Sequence, residues 1–255
     1  MADPTAGSVL TPALVDQLVA LADGAAVRGI AVLGSAARGD ASRWSDVDVE
    51  STVSDPAAKW PTRPSFIGSR LIMSHAITRD EQVAQLSLPD KAIWAAPSYA
   101  AMRILVDRDG ELERLRQACQ AFDYAPLRPA AAAYLREKAG SACEYVFKIR
   151  DALSTRDESK ALHAAAALTS RCERLTSVAF LVPIRTENEY YRVVRQAAGP
   201  AWTGRHRAAF GLDGGDAFTQ GAAACALFRE TIRLIDDRLD AGARAIVGPT
   251  LEIAP

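Results

Sequence analysis

The sequence predicts an α/β domain with a mixed sheet over residues 1–125 and an all-α helical bundle over residues 126–255. Three observations carry this prediction. Short apolar runs alternate with helical patterns through the first half. Pro126 and Pro129 then punctuate the chain. Beyond them, apolar residues recur at spacings of three and four, and neither a repeat nor a low-complexity linker interrupts the pattern.

Taken in order, Pro12 to Ala22 reads as a short helix with Thr11 as its N-cap and Gly24 near its end. Strands are expected at Arg28–Leu33, Val47–Val53, Arg70–Ile77 and Met102–Val106. The stretch from Asp55 to Ser65 holds three prolines and Trp60, and reads as a loop at the sheet edge. Arg79–Leu86 looks helical and stops before Pro89, and the run from Leu88 to Tyr99 reads as irregular or briefly helical. Gly110–Phe122 is an amphipathic helix.

In the second half, Leu135, Ala139, Ala142, Val146, Ile149 and Leu153 form one stripe. Leu162, Ala165, Cys172, Leu175, Ala179 and Val182 form a second, ended by Pro183. A short third helix is expected within Thr186–Ala197, then a glycine-broken loop over Gly199–Phe218. Phe228, Ile232, Ile235 and Leu239 mark another helix near the end of the chain. Single apolar stripes of this kind must bury against one another, which makes a bundle.

The chemistry concentrates in Gly34–Asp48, a Gly-Ser turn, a ten-residue spacer and Asp46-x-Asp48. Apolar runs flank it, Ile30–Leu33 before and Val47, Val49 and Val53 after. Side chains two apart on a strand share a face, so Asp46 and Asp48 stand together. Two close carboxylates repel unless a cation lies between them. A Gly-Ser turn that leaves a strand and opens a helix presents backbone N–H groups to an anion. Gly34 permits close approach, Ser35 adds a hydroxyl, and Arg38 is placed to fork onto a phosphate oxygen. This set suits phosphoryl transfer from a nucleoside triphosphate with Mg²⁺, which takes oxygen from one or two carboxylates plus phosphates.

The constellation resembles the active site of the nucleotidyltransferase superfamily with the DNA polymerase β-like fold. It is most similar to the small antibiotic-modifying members, the aminoglycoside and lincosamide nucleotidyltransferases. The match is specific over Gly34–Asp48, looser over Ala101–Gly110, and rests on helical pattern beyond. The resemblance implies Asp46 and Asp48 as catalytic metal ligands, and Gly34, Ser35 and Arg38 as nucleotide-binding residues. It also implies a glutamate base on the helix after the catalytic domain. Tyr134, Glu137, Ser141, Glu144 and Lys148 line the polar face of that helix. Glu144 is the first choice of base and Glu137 the second, with Lys148 placed to meet the triphosphate. The plain alternative is a solvated face carrying a Glu144–Lys148 pair.

One departure stands out. Family members often carry a third carboxylate on the next core strand, whereas Arg70–Ile77 contains neither Asp nor Glu. His75 is the one titratable side chain near that position, and an ordinary hydrogen-bonded histidine is the favoured reading of it. Glu50 shares the face of Asp46 and Asp48 further along. Asp80 and Glu81 read as solvated helix-start residues. Trp44 reads as a packing residue before it reads as a stacking one, and His163 and His206 as ordinary polar residues.

Composition limits the rest. The 255 residues are 49% hydrophobic with net charge −1, so no strongly basic surface advertises nucleic acid. The first dozen residues lack a basic start and an apolar core, so no signal peptide is expected. No apolar run reaches membrane-spanning length, and no membrane partner is expected. Cys119, Cys143, Cys172 and Cys225 show no Cys-x-x-Cys pairing, which fits free thiols and a cytoplasmic setting.

The expected activity is Mg²⁺-dependent transfer of a nucleoside monophosphate, AMP from ATP, to a hydroxyl of a small molecule such as an antibiotic or a biosynthetic intermediate. Two alternatives stand beside it. One is a toxin–antitoxin type enzyme acting on tRNA or a partner protein, and the other is a non-catalytic nucleotide-binding relative.

Overall fold

A computed structural model describes residues 9–255. They form two compact units. The first runs to Asp123 and includes Arg185–Glu187; the second comprises Tyr124–Ile184 and Asn188–Pro255.

The first unit is a mixed five-stranded sheet with helices on both faces. Helix α1 (Pro12–Ala22) starts where the Thr11 hydroxyl accepts from the Leu14 N–H at 3.3 Å. Strand β1 (Val27–Leu33) leads into the short α2 (Gly34–Arg38) and then β2 (Val47–Val53). Strands β3 (Arg63–Ile67) and β4 (Arg70–Thr78) follow, then α3 (Arg79–Ser87), α4 (Pro89–Ala100), β5 (Arg103–Asp107) and α5 (Glu111–Gln120). The strand order is β3-β4-β2-β1-β5, and only β2 and β4 run parallel.

Strand alternation divides the core. Val47, Val49 and Val53 of β2 join Ile30 and Val32 of β1 and Leu18 of α1 on one face. The other face packs Ala31 against Tyr99 of α4 and Leu112 and Leu115 of α5. Gly29 admits this layer, since a β-carbon there would stand 2.5 Å from Leu112. Asp48, Glu50 and Thr52 therefore point to the α4–α5 side, with Asp48 near the start of β2.

Two expectations for this unit are corrected. The stretch read as a loop contributes β3, because Pro64 lies on an edge strand whose outer side needs no partner. The stretch read as irregular or briefly helical is the twelve-residue helix α4, longer than expected. Pro89 opens it at the first turn, where no N–H is needed, and the helix continues through Pro97 to Ala100.

The second unit is helical: α6 (Arg128–Thr155), α7 (Glu158–Ala179), α8 (Tyr190–Ala198), α9 (Pro200–Ala209), α10 (Ala217–Ile235) and α11 (Ala241–Ile253). The expected α6 stripe is buried from Leu135 to Ile149, and α7 packs against α6 and α10. In α7 the expected stripe is buried at Ala165, Cys172, Leu175 and Ala179, but its first member is not: Leu162 is exposed and Ala161 faces inward instead, since a one-residue offset turns a side chain about 100°. The helix also ends at Ala179, ahead of Pro183. The stretch read as a glycine-broken loop contains α9, which starts at Pro200 and carries the fully buried Trp202. The last helix, α11, begins where the Asp240 carboxylate accepts from the Ala243 N–H. All four cysteines are free and buried, and among the described residues no helix is long and apolar enough to cross a membrane.

Candidate functional site

The site is built where β1 ends. Leu33 pairs with Asp48 across the antiparallel β1–β2 ladder. The chain then turns at Gly34 with φ +64, in the left-handed region, and enters α2. A β-carbon on Gly34 would stand 2.7 Å from Asp48 Oδ2. Glycine is required twice over, by the turn and by the carboxylate packed against it.

Asp46 lies just before β2 and Asp48 within it, both half-buried. Burial raises the Asp48 carboxyl above its ordinary range, the neighbouring Asp46 charge raises it further, and Glu187 adds to the effect. His75 and Arg38 pull in the opposite direction. The negative charges and desolvation prevail, so this corner of the unit holds carboxylates short of positive charge. Hard carboxylate oxygens in that condition fit Mg²⁺ as Asp46 and Asp48 ligands.

Arg38 is already engaged. Its Nε and Nη2 donate to the Asp40 carboxylate, both at 3.1 Å, and its Nη1 donates to the Arg185 carbonyl at 2.9 Å. The guanidinium thus ties α2 to the Arg185–Glu187 segment of the same unit. Ser35 is half-buried on α2.

Behind Asp48 lies a polar network centred on Glu50, in which His75 is the hydrogen-bonded histidine expected from the sequence. Glu50 is 4% exposed and accepts from Gln82 Nε2 at 2.7 Å. His75, its neighbour across the parallel β2–β4 pair, bonds its other oxygen at 3.0 Å. Tyr99 O–H reaches that oxygen at 3.4 Å. The hydrogen bond to Glu50 raises the His75 imidazole above its usual value despite burial, helped by the Glu50 and Asp48 charges. Where a third carboxylate was sought, β4 thus places a histidine favoured in its charged form. The alternation of Asp48, Glu50 and Thr52 and the strand that carries His75 were legible in the sequence, but the pairing of β2 with β4 and its register were not.

Two neighbours also differ from expectation. Trp44 does not pack into the core: it is 82% exposed, with the Arg43 guanidinium 4.5 Å from its ring centre. Glu81 is more than a solvated start residue. It closes a capping box with Thr78 and pairs with Lys59 at 2.6 Å, which together hold its carboxyl at about 2.

Glu144 and Lys148 lie in the second unit, on the exposed face of α6, together with Glu137. They form an i,i+4 pair, and the Lys148 ammonium holds the Glu144 carboxyl below its ordinary range. The structure thus groups Gly34, Ser35, Arg38, Asp46 and Asp48 in one unit, and joins Glu144 to Lys148 in the other. Among the described residues, no group of three or more His, Cys, Asp or Glu side chains is placed to hold a metal by itself.

No protein-family model matches the chain, and no curated protein does. Solved structures do match. One is a nucleotidyltransferase-like protein from Exiguobacterium sibiricum 255-15, similar over 93% of this chain and 77% of its own, with a TM-score of 0.53 and 14% identity. At that identity the likeness concerns the fold alone, a mixed five-stranded sheet unit followed by a helical region.

Proposed function

We propose that this chain is a nucleotidyltransferase that moves a nucleoside monophosphate, AMP from ATP, onto a hydroxyl of a small molecule with Mg²⁺. The observation that carries the reading is Asp48, packed against the Gly34 turn and raised by burial and by Asp46. A nucleotidyltransferase-like fold supports it.

Asp46 and Asp48 would hold the metal through carboxylate oxygens. When bound, Mg²⁺ supplies positive charge to the triphosphate oxygens and the departing pyrophosphate. Gly34 lets the backbone come close to the phosphates, and the Ser35 hydroxyl donates to them. Arg38 holds α2 in place through Asp40 and the Arg185 carbonyl, and its two remaining N–H groups would donate to phosphate. The acceptor oxygen bonds to the α-phosphorus as the bond to pyrophosphate breaks, and its proton passes to a base. Glu144 is the proposed base and Lys148 a proposed triphosphate contact. Exposed Trp44, two residues before Asp46, offers a face for the base of the nucleotide.

The test is incubation of the protein with Mg²⁺, α-labelled triphosphates and an acceptor library of hydroxylated antibiotics, small metabolites, tRNA and proteins. Label on a small molecule supports the proposal, and label on tRNA or a protein moves the acceptor class. One observation favours a second reading, a nucleotide-binding relative without turnover: β4 carries a histidine where a carboxylate was sought. Metal-dependent ATP binding with no label transfer to any acceptor would select it.

A further inference from the structure

The helical unit contains a cavity that the transfer reaction does not use. It has a volume of about 300 Å³, at the lower end of the range for small-molecule sites. Leu162, Ala166 and Ala209 give it an apolar lining. Tyr191 and Phe210 add an aromatic wall, their rings edge-on at 5.1 Å. Glu173, 5% exposed, supplies a carboxylate, and Thr169, 2% exposed, supplies a buried hydroxyl with no hydrogen-bond partner among the described residues.

The state of Glu173 follows from its neighbours. Arg195 donates from Nε and Nη2 to His206 Nδ1, at 3.1 and 2.9 Å. A guanidinium only donates, so Nδ1 keeps its lone pair and the ring proton sits on Nε2. That N–H donates to Glu173 Oε1 at 2.6 Å. The imidazole itself is fully buried, stacked between Trp202 and Phe210. His206, read from sequence as an ordinary polar residue, is thus a neutral post that holds a buried carboxylate in place. The directly bonded partner carries no charge, and Arg195 stands on the far side of the ring. Among the described residues, this buried carboxylate has no ion pair with a lysine or arginine.

We propose that this cavity binds a small organic amine as its ammonium ion, with an aromatic or apolar body. The ammonium donates both to Glu173 and to the unpartnered Thr169 hydroxyl one helical turn before it, while the body lies against Tyr191 and Phe210. Aromatic faces and a carboxylate together select a cation over a neutral isostere. The site is built from α7, α8, α9 with Phe210 just past its end, and α10, all in the helical unit, so it stands whether or not the first unit transfers nucleotides.

The probes are 2-phenylethylamine and 2-phenylethanol, which share a body and differ in charge at neutral pH. Both are titrated into the full-length protein by calorimetry and ligand-observed NMR. The amine should bind at least about tenfold more tightly than the alcohol, and Glu173→Gln should erase that preference. Thr169→Val separates a binding role from a structural one. It removes a buried hydroxyl without a partner, so the melting temperature should hold or rise while amine affinity falls. Phe210→Ala, at a half-exposed ring, should weaken the amine too, whereas Phe180→Ala outside the cavity should not. If Glu173→Gln fails to fold, the Thr169 and Phe210 variants decide. Equal affinity for both probes, binding of neither, or unchanged amine affinity in both Thr169→Val and Phe210→Ala overturns the proposal. So does a dimer that Phe210→Ala dissociates, which would assign the groove to a second copy of the chain.

Discussion

Asp48 Oδ2 lies 2.7 Å from the point where a β-carbon on Gly34 would stand. Gly34 also holds a left-handed φ of +64. Gly34→Ala should therefore lose about 1–2 kcal/mol of stability through backbone strain alone. It should also push the Asp48 carboxylate aside, so Mg²⁺-dependent ATP affinity should fall further than the stability loss explains. Urea unfolding and calorimetry on the same variant measure both.

Asp46→Asn and Asp48→Asn should each abolish metal-dependent ATP binding, since each removes a charged ligand at nearly constant shape. For Asp48 the sign on stability is opposite. Its folded carboxyl is raised above the unfolded value of 3.8 by burial and by Asp46. The ionised group therefore weakens the metal-free fold above its folded value, and stability is regained as pH falls toward 3.8. Metal-free Asp48→Asn should melt higher than the parent at neutral pH, and Mg²⁺ with ATP should stabilise only the parent. A lower melting temperature in the variant would contradict the account.

His75 titrates the other way. Glu50 raises the folded imidazole above its ordinary 6.5. Its contribution is thus complete below 6.5 and is lost as pH rises through the folded value. Unfolding free energy measured across that window should decline with pH, and the decline should flatten in His75→Gln. A profile identical in parent and variant would remove His75 from the account.

Trp44 is 82% exposed, so Trp44→Ala should change stability by no more than about 0.5 kcal/mol. If its ring stacks on the base of the nucleotide, ATP affinity should fall by roughly five- to a hundredfold, the range for one lost base–aromatic stack. Triphosphate without a base should bind equally to both proteins. Fluorescence of the Trp44 ring, compared between ATP and inorganic triphosphate, gives a second readout.

Glu144→Gln should slow transfer by about 10²–10⁴-fold with ATP binding nearly intact, the usual effect of losing a general base. Lys148 holds the Glu144 carboxyl low, so Lys148→Gln should raise it and shift the acid limb of the rate profile upward. Full turnover in Glu144→Gln with loss in Glu137→Gln would move the base two helical turns earlier. Full turnover in both would make His75 the next residue to test.

What the sequence determined by itself was local. The limits of β2, the Thr11 cap and the buried stripe of α6 follow from spacings of two, three and four along the chain. Those spacings set which side chains share a face before any partner is chosen. The Gly34–Ser35 turn and the Asp46-x-Asp48 pair belong to the same class, since the motif lies within fifteen residues and two adjacent strands.

Tertiary structure decided the contacts between distant segments. Glu50 meets His75 because β2 and β4 pair in parallel with that register. Arg38 meets the Arg185 carbonyl 147 residues away. Glu173 meets His206 across two helices. Strand β3 and helix α9 depend on context as well. Pro64 is tolerated only because its strand is an edge, and Trp202 makes α9 a core helix although glycines surround it. Periodicity reports that a face is buried and is silent on what covers it. Partner and register come from packing the whole chain at once, and they place histidine, glutamate and arginine where charge has consequences.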